Sequence, residues 1–299
     1  MTEHAEPLVT VITPCFEHGA TLGRALASLV AQTMGDWECV VVDDGSGRSI
    51  QPVVEQVGDE RIRLIRFNEN RGRSAARQAA LDQARGRYIA MLDADDWYFP
   101  DKLERQVRLL ESRPELAAVS CGMAVIDEDD HLVGMRSINP REMIVQTGSR
   151  DRMARLPFPP VMLRRERAVA HRFDERLERS EDLDYLMRVL VGHNYGMMPQ
   201  AGYAYREIYS DVTMGEALIG FRNQRRIYRR ELLEHPVKAG RKVFWNLIKT
   251  GIYRAARSTG RGKWLFSRRN RPASVEERRA YEEARQRVLE VMARSGLKD

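Results

Sequence analysis

Tyr88 to Leu92 is an unbroken apolar run that stops abruptly at Asp93, Asp95 and Asp96. A run of this length without alternation predicts a strand buried on both faces, and the acids place a polar edge at its carboxyl end. Three carboxylates within four residues repel one another, so gathering them costs free energy unless a cation or hydrogen-bond donors offset the charge. Mg²⁺ or Mn²⁺ can do this with oxygen ligands, and needs only one or two carboxylates when a diphosphate supplies the rest. The competing reading is a solvated turn, with Asp96 capping the helix that follows Pro100.

The residues before this stretch set its context. Leu8 to Ile12 reads as a short buried strand closed by Thr13-Pro14, and Ala20 to Gln32 carries Leu22, Ala25, Leu26, Leu29 and Val30 at helical spacing. Trp37 to Val42 is a second strand ending in Asp43-Asp44-Gly45-Ser46; a helix around Ile50 to Gln56 leads to a third strand, Ile62 to Phe67. This βαβαβ order predicts an α/β fold with a parallel sheet and right-handed crossovers. Ligands of such sheets sit beyond the carboxyl ends of the strands. Pro14 to Glu17, Asp43 to Ser46, Asn68 to Arg73 and Asp93 to Asp96 therefore share one rim. Gly45 and Gly72 permit positive φ or a close backbone approach there. Arg77 lies in the first turns of the alanine-rich helix Arg71 to Ala84, where the dipole gives a cation no help; the alternatives are an anion to bind or a surface salt bridge.

Downstream, Lys102 to Ser112 reads as a helix, Ala117 to Ile126 as a strand, Asp127 to His131 as a hairpin turn and Pro159 to Arg164 as extended chain. Ser137 to Pro157 has no clear period and is a candidate loop near the site. Ser180 stands as the N-cap of a helix whose buried stripe is Leu183, Leu186, Met187 and Leu190. Glu181 and Asp182 then occupy that helix's first turn, either as dipole stabilisers or as a general base at the mouth of the cleft.

Charge divides the chain. Residues 214–299 carry 22 Lys plus Arg against 9 Asp plus Glu, a balance of +13, which leaves −7 for residues 1–213 within the total of +6. The division sets a body, 1–213, against a basic, mainly helical region, 214–299. Arg241 to Arg257 can be drawn as an amphipathic helix with Val243, Phe244, Leu247, Ile248, Ile252 and Ala255 on one side and Lys242, Asn246, Lys249 and Tyr253 on the other. Its composition fits an anionic membrane surface, or an appendage packed on the body or on a second subunit of a homo-oligomer. Nucleic acid is disfavoured, since no binding module accompanies the charge. The final helix opens on the capping box Ser274 to Glu277 and is polar nearly all round, which predicts an exposed or partner-facing element. No segment approaches the roughly 18 apolar residues of a membrane span, Met1 to Pro7 is unlike a secretory signal, and three scattered cysteines give no disulfide or metal spacing. The expected location is the cytoplasm, with peripheral contact at the inner membrane face.

Residues 8 to about 213 resemble the inverting family 2 glycosyltransferases of the GT-A fold. The match is carried by Val11-Ile-Thr-Pro14, Ser28-Leu-Val-Ala-Gln32, Val41-Val-Asp-Asp-Gly-Ser46, Asn70-Arg-Gly72 with Ala76-Arg77, Ala84 to Asp96, Ser180-Glu-Asp-Leu-Asp184 and Tyr205-Arg206. The resemblance implies a Rossmann-like, mostly parallel sheet with helices on both faces. It implies a nucleotide-sugar donor, UDP-linked by preference, lying against Pro14, Phe16, Glu17, Asp44, Arg77, Asp93 and Ala94. Phe16 would stack near the base, Asp44 would accept a hydrogen bond from it, Arg77 would face the nucleotide and Asp93 the ribose. Asp95, with Asp93, would hold Mn²⁺ or Mg²⁺ on the diphosphate. Asp182, beside Glu181, matches the catalytic base acting on a saccharide, lipid-linked or small-molecule acceptor. Cys15 departs from the family's usual polar residue. The Gln-x-x-Arg-Trp motif of polymerising relatives is missing, Gln224 to Tyr228 lacking the Trp, so one sugar per encounter is expected. A sugar-1-phosphate nucleotidyltransferase would need a glycine-rich loop after the first strand, and a P-loop kinase Gly-x-x-x-x-Gly-Lys; neither is present. A catalytically silent GT-A domain serving as a binding subunit is the remaining alternative, against which Asp93, Asp95 and Asp182 speak.

Overall fold

The computed structural model describes residues 6–136, 143–148, 156–208, 211–230, 236–262 and 269–297. Strands β1 (Val9–Cys15), β2 (Trp37–Asp43), β3 (Ile62–Arg66) and β4 (Tyr88–Met91) alternate with helices α1 (Gly19–Val30), α2 (Gln51–Val57) and α3 (Arg73–Asp82). The strands pair in parallel in the order β3-β2-β1-β4, as the βαβαβ pattern requires. Val9, Val11, Cys39, Val41, Tyr88 and Ala90 enter one core with Leu22, Leu26 and Leu29 of α1. Ile12, Val40, Val42, Ile89 and Met91 enter the other with Ala76 and Ala80 of α3. Successive side chains point to opposite faces, and both faces are dry, so the strands read as continuous apolar runs.

The second half is mixed. It comprises β5 (Trp97–Tyr98), α4 (Lys102–Ser112), β6 (Leu116–Ile126), β7 (Leu132–Arg136), β8 (Ile144–Thr147), β9 (Met162–Arg164), α5 (Arg165–Ala168), α6 (Glu181–Leu190) and β10 (Asn194–Arg206). β9 lies antiparallel between β4 and β6, β10 runs parallel to β6, and β5, β7 and β8 add antiparallel edges. The hairpin expected at Asp127 to His131 closes through Asp127 N–H donating to the His131 carbonyl at 3.1 Å. Much of the loop expected over Ser137 to Pro157 lies outside the described residues; β8 occupies part of the remainder.

Among the described residues three long helices follow: α7 (Asp211–Arg230), which runs across the 213/214 division, α8 (Pro236–Ser258) and α9 (Val275–Arg294). The capping box forms, Ser274 Oγ accepting from Glu277 N and Glu277 Oε2 accepting from Ser274 N. The expectation of an exposed last helix is corrected. Tyr281, Ala284, Val288 and Met292 are buried against Ala27, Trp97, Phe99 and Met135, and the Tyr281 hydroxyl donates to the Asp130 carbonyl at 2.6 Å. Four residues at helical spacing among sixteen others make a narrow seam, which overall polarity conceals. α8 turns the opposite way from an ordinary amphipathic helix. Its buried residues are Ala239, Asn246, Thr250 and Tyr253, and Arg225 of α7 donates to Asn246 Oδ1 at 2.7 Å and Thr250 Oγ1 at 2.8 Å. Phe244, Trp245, Leu247 and Ile252 are left 58%, 56%, 53% and 50% exposed. No helix among the described residues is long and apolar enough to cross a membrane.

Candidate active site

The loops after β1, β2 and β3 are tied to one another by their own backbone. Asp44 N–H donates to the Cys15 carbonyl and Phe67 N–H to the Asp43 carbonyl, each at 2.8 Å. Asp43 Oδ1 accepts from Ser46 N, and Glu17 Oε1 accepts from Gly47 N at 2.7 Å while Glu17 N donates to Ser46 Oγ. Gly45 has φ +73°, and a Cβ there would stand 2.3 Å from the Glu69 carbonyl carbon; Gly72 has φ +90° at the start of α3. Both glycines are thus needed for the rim to close. Asp44 spends both carboxylate oxygens on the Arg71 and Gly72 amides, at 2.7 and 3.0 Å, an employment the sequence did not reveal. Phe16 remains 43% exposed beside Pro14.

The acidic stretch is resolved residue by residue. Arg77 is buried and bridges two carboxylates, Nη2 donating to Asp93 Oδ1 at 2.8 Å and Nη1 to Glu181 Oε1 at 2.6 Å, with the guanidinium 4.7 Å over the Phe158 ring. It is therefore no surface salt bridge. Burial opposes its charge, but Asp93, Glu181 and Asp182 outweigh that and hold its pKa above the ordinary guanidinium value. Burial also opposes the Asp93 carboxylate, and the Arg77 charge more than compensates, lowering its pKa. Asp96 does not cap α4. It is buried, accepting from Tyr203 Oη at 2.7 Å and Arg206 N at 2.7 Å, and burial followed by the charges of Asp95 and Asp93 pushes its pKa well up. Tyr203 and Arg206 are parts of the site that sequence reasoning left unassigned, as is His18, whose charge acts on both Asp93 and Asp95.

Asp95 stands apart from its neighbours. Among the described residues, none donates a side-chain or backbone hydrogen bond to its carboxylate other than its own amide, and burial followed by the Asp93 charge raises its pKa. The repulsion within the stretch is thus met by Arg77 at Asp93 and by hydroxyl and amide donors at Asp96, whereas Asp95 has only the more distant charges of His18 and Arg73 to ease it. No group of three or more His, Cys, Asp or Glu among the described residues is arranged to hold a metal by itself. The donor set fits an ion that takes one or two carboxylates here and further oxygens from a ligand. Ala94 is buried between the two acids.

Arg77 also fixes where α6 begins, since it joins Glu181 at that helix's start to Asp93 at the end of β4. Ser180 holds the expected N-cap position but not its chemistry: it adopts φ 63°, and its hydroxyl donates to the Gly220 carbonyl at 3.2 Å instead of accepting from α6. Asp182 is partly exposed. Burial, then the charge of Glu181, raises its carboxyl to about 6, against the Leu183 amide donating to Oδ1 at 2.8 Å. A partly exposed carboxylate poised near neutrality has the properties of a general base. The cysteines are not chemical participants; Cys15 and Cys39 are buried, and burial pushes both thiols up to about 12.

The parallel nucleotide-type half, the antiparallel β9 insertion and the carboxylates at the end of β4 define a GT-A glycosyltransferase fold. The profile described as "Glycosyl transferase family 2" matches residues 10–169, and the chain belongs to that family. It is 36% identical over 103 residues to "UDP-Glc:alpha-D-GlcNAc-diphosphoundecaprenol beta-1,3-glucosyltransferase WfgD" of Escherichia coli, covering 34% of this chain and 41% of that one. The chain spans 60% and 44% of the lengths of two further curated relatives, which it matches at 31% and 38% identity. In fold it is similar to the crystal structure of S. aureus TarS 1-349 in complex with UDP-GlcNAc, with TM-score 0.62 and 17% identity over 95% of this chain and 81% of the other. It is similar too to the mannosyltransferase PcManGT from Pyrobaculum calidifontis in complex with GDP-Man and Mn²⁺, with TM-score 0.54 and 16% identity over 98% and 88%.

Proposed function

We propose that the chain moves one sugar, with inversion, from a UDP-sugar to a hydroxyl of a saccharide, lipid-linked or small-molecule acceptor. The observation that carries this is Asp182: a partly exposed carboxylate, raised to about 6, whose helix is tied through Glu181 and Arg77 to the Asp93 end of β4. The acceptor oxygen attacks the donor's anomeric carbon as Asp182 takes its proton, and the bond from that carbon to the diphosphate oxygen breaks. Asp95, with Asp93 adjoining, would hold Mn²⁺ or Mg²⁺, which offsets charge on the departing diphosphate. Phe16 offers an exposed ring for the base, and Arg77 keeps Asp93 ionised beside the donor. The UDP-Glc in the name of WfgD, the UDP-GlcNAc on TarS and the Mn²⁺ on PcManGT support this choice of donor and ion. A thermal-shift comparison of UDP, GDP and dTDP, each with and without Mn²⁺, tests it. UDP with Mn²⁺ is expected to raise the melting temperature most, because a ligand stabilises only the folded state it binds. Equal shifts for all three nucleotides would count against the donor, and a shift indifferent to Mn²⁺ against the ion.

The lipid-linked acceptor is favoured by α8. The helix carries six Lys plus Arg and no acid, and presents Phe244, Trp245, Leu247 and Ile252 outward. Cations among exposed aromatic and aliphatic side chains match the interface of an anionic bilayer. Changing Phe244 and Trp245 together to serine is expected to lower partitioning onto phosphatidylglycerol vesicles at least about tenfold, since burying one large apolar side chain contributes about 1.5–3 kcal/mol. Unchanged cosedimentation would leave that face for a protein partner.

A further inference from the structure

A cavity of about 480 Å³ lies between the segment before α6 and the carboxyl-terminal half of α7. Its wall holds five arginines, Arg176, Arg222, Arg225, Arg226 and Arg229, with Asn223 and a single acid, Glu178. Arg176 is bonded to Asp174, and Arg230 at the end of α7 to Asp174 and Asp184, but among the described residues no carboxylate pairs with the four α7 arginines that line the cavity. Burial, then the charges of Arg229, Arg254 and Arg222, lowers the pKa of Arg225, the mark of a positive field without a counter-charge. That guanidinium is nonetheless held in place by Asn246 and Thr250 of α8. Cations gathered in a concavity raise the local concentration of anions, and planar guanidinium forks fit phosphate oxygens two at a time.

The pocket is joined to the chemistry. Asn223 Nδ2 donates to the Arg179 carbonyl at 2.9 Å, and Ser180 Oγ to the Gly220 carbonyl at 3.2 Å, so its α7 wall is bonded to the two residues preceding Glu181 and Asp182. None of the strand-end residues assigned to the donor lines it. We propose that this arginine pocket binds the phosphate groups of a diphosphate-bearing acceptor and so presents the acceptor's sugar hydroxyl to Asp182. This rests on the transfer reaction given above. The same chemistry could reach the pocket as a phospholipid headgroup, and the test separates the two.

Inorganic pyrophosphate is titrated calorimetrically into the full chain in EDTA, where no cation can bridge it to Asp95. Three proteins are compared: the wild type, the triple variant Arg222→Gln, Arg226→Gln, Arg229→Gln, and a control of equal charge loss outside the pocket, Arg108→Gln, Arg172→Gln, Arg279→Gln. The triple variant is expected to bind pyrophosphate at least about tenfold more weakly than the wild type, and the control to match the wild type. Equal loss in both variants, or no pyrophosphate binding by the wild type, would overturn the proposal. Vesicles of equimolar phosphatidylcholine and phosphatidylglycerol form the second arm. The triple variant is expected to retain vesicle binding; loss of vesicles with pyrophosphate binding intact would assign the pocket to headgroups instead. Should the triple variant fail to fold, Arg226→Gln alone, at an exposed position, is expected to weaken pyrophosphate in the same direction, and its equality with the wild type would also be contrary. Failure of UDP to bind with Mn²⁺ would reject the donor assignment without altering the pyrophosphate comparison.

Discussion

Asp182→Asn is expected to reduce sugar transfer by about 10²–10⁴-fold, the usual contribution of a positioned general base, while leaving UDP affinity nearly unchanged. The amide keeps the side chain's size and can still accept from Leu183 N, so the fold has no reason to change. What is lost is the basic carboxylate that takes the acceptor's proton. The wild type also carries a pH signature. The base works only when ionised, so with the carboxyl at about 6 the rate should rise with pH through that value and level off above it. At pH 5 it should stand at about one tenth of the plateau, and the same limb should be missing from the residual rate of the variant. Rate profiles at saturating donor would show this; an acidic limb that survives in Asp182→Asn would assign the titration to another group.

Arg77→Met is expected to lower stability by about 3–5 kcal/mol at neutral pH, the range found when one partner of a buried ionic network is removed. Arg77 neutralises two carboxylates at once, and methionine fills part of its volume without replacing either bond. The sign with pH follows from Asp93. Its folded pKa lies below the unfolded value, so its contribution is present above the unfolded value and is lost as pH falls through the folded one. In the variant that contribution is already gone, so the gap between variant and wild type should narrow as the solution is acidified. Urea midpoints across pH would read this, and adding Glu181→Gln to Arg77→Met should recover part of the loss. A midpoint for Arg77→Met equal to that of the wild type would mean that the bridge holds nothing together.

The parts of the molecule legible in the sequence are the local ones. Strands β1 to β4 and their helices follow from apolar runs and helical spacing within a few residues. The convergence of Pro14, Asp44 and Asp93 on one rim follows from strand order. What stayed hidden depends on partners far along the chain. Arg77 meets Glu181 across 104 positions, and Asp96 meets Tyr203 and Arg206 across 107 and 110. No local pattern distinguishes a carboxylate that will cap a helix from one that will be buried against a tyrosine. Periodicity likewise gives α8 an apolar side without saying which side packs, and its polar side, through Asn246 and Thr250, is the one that meets α7. In α9 the packing side is too narrow for composition to show.

Calorimetric titration of UDP into the wild type and into Asp95→Asn, each with and without Mn²⁺, tests the central assignment most directly. Asp95 is the one member of the acidic stretch whose carboxylate takes no hydrogen bond from another described residue, so the wild type should bind UDP tightly only with Mn²⁺, and Asp95→Asn should bind it weakly in both conditions. Equal UDP affinity in all four titrations would contradict the account.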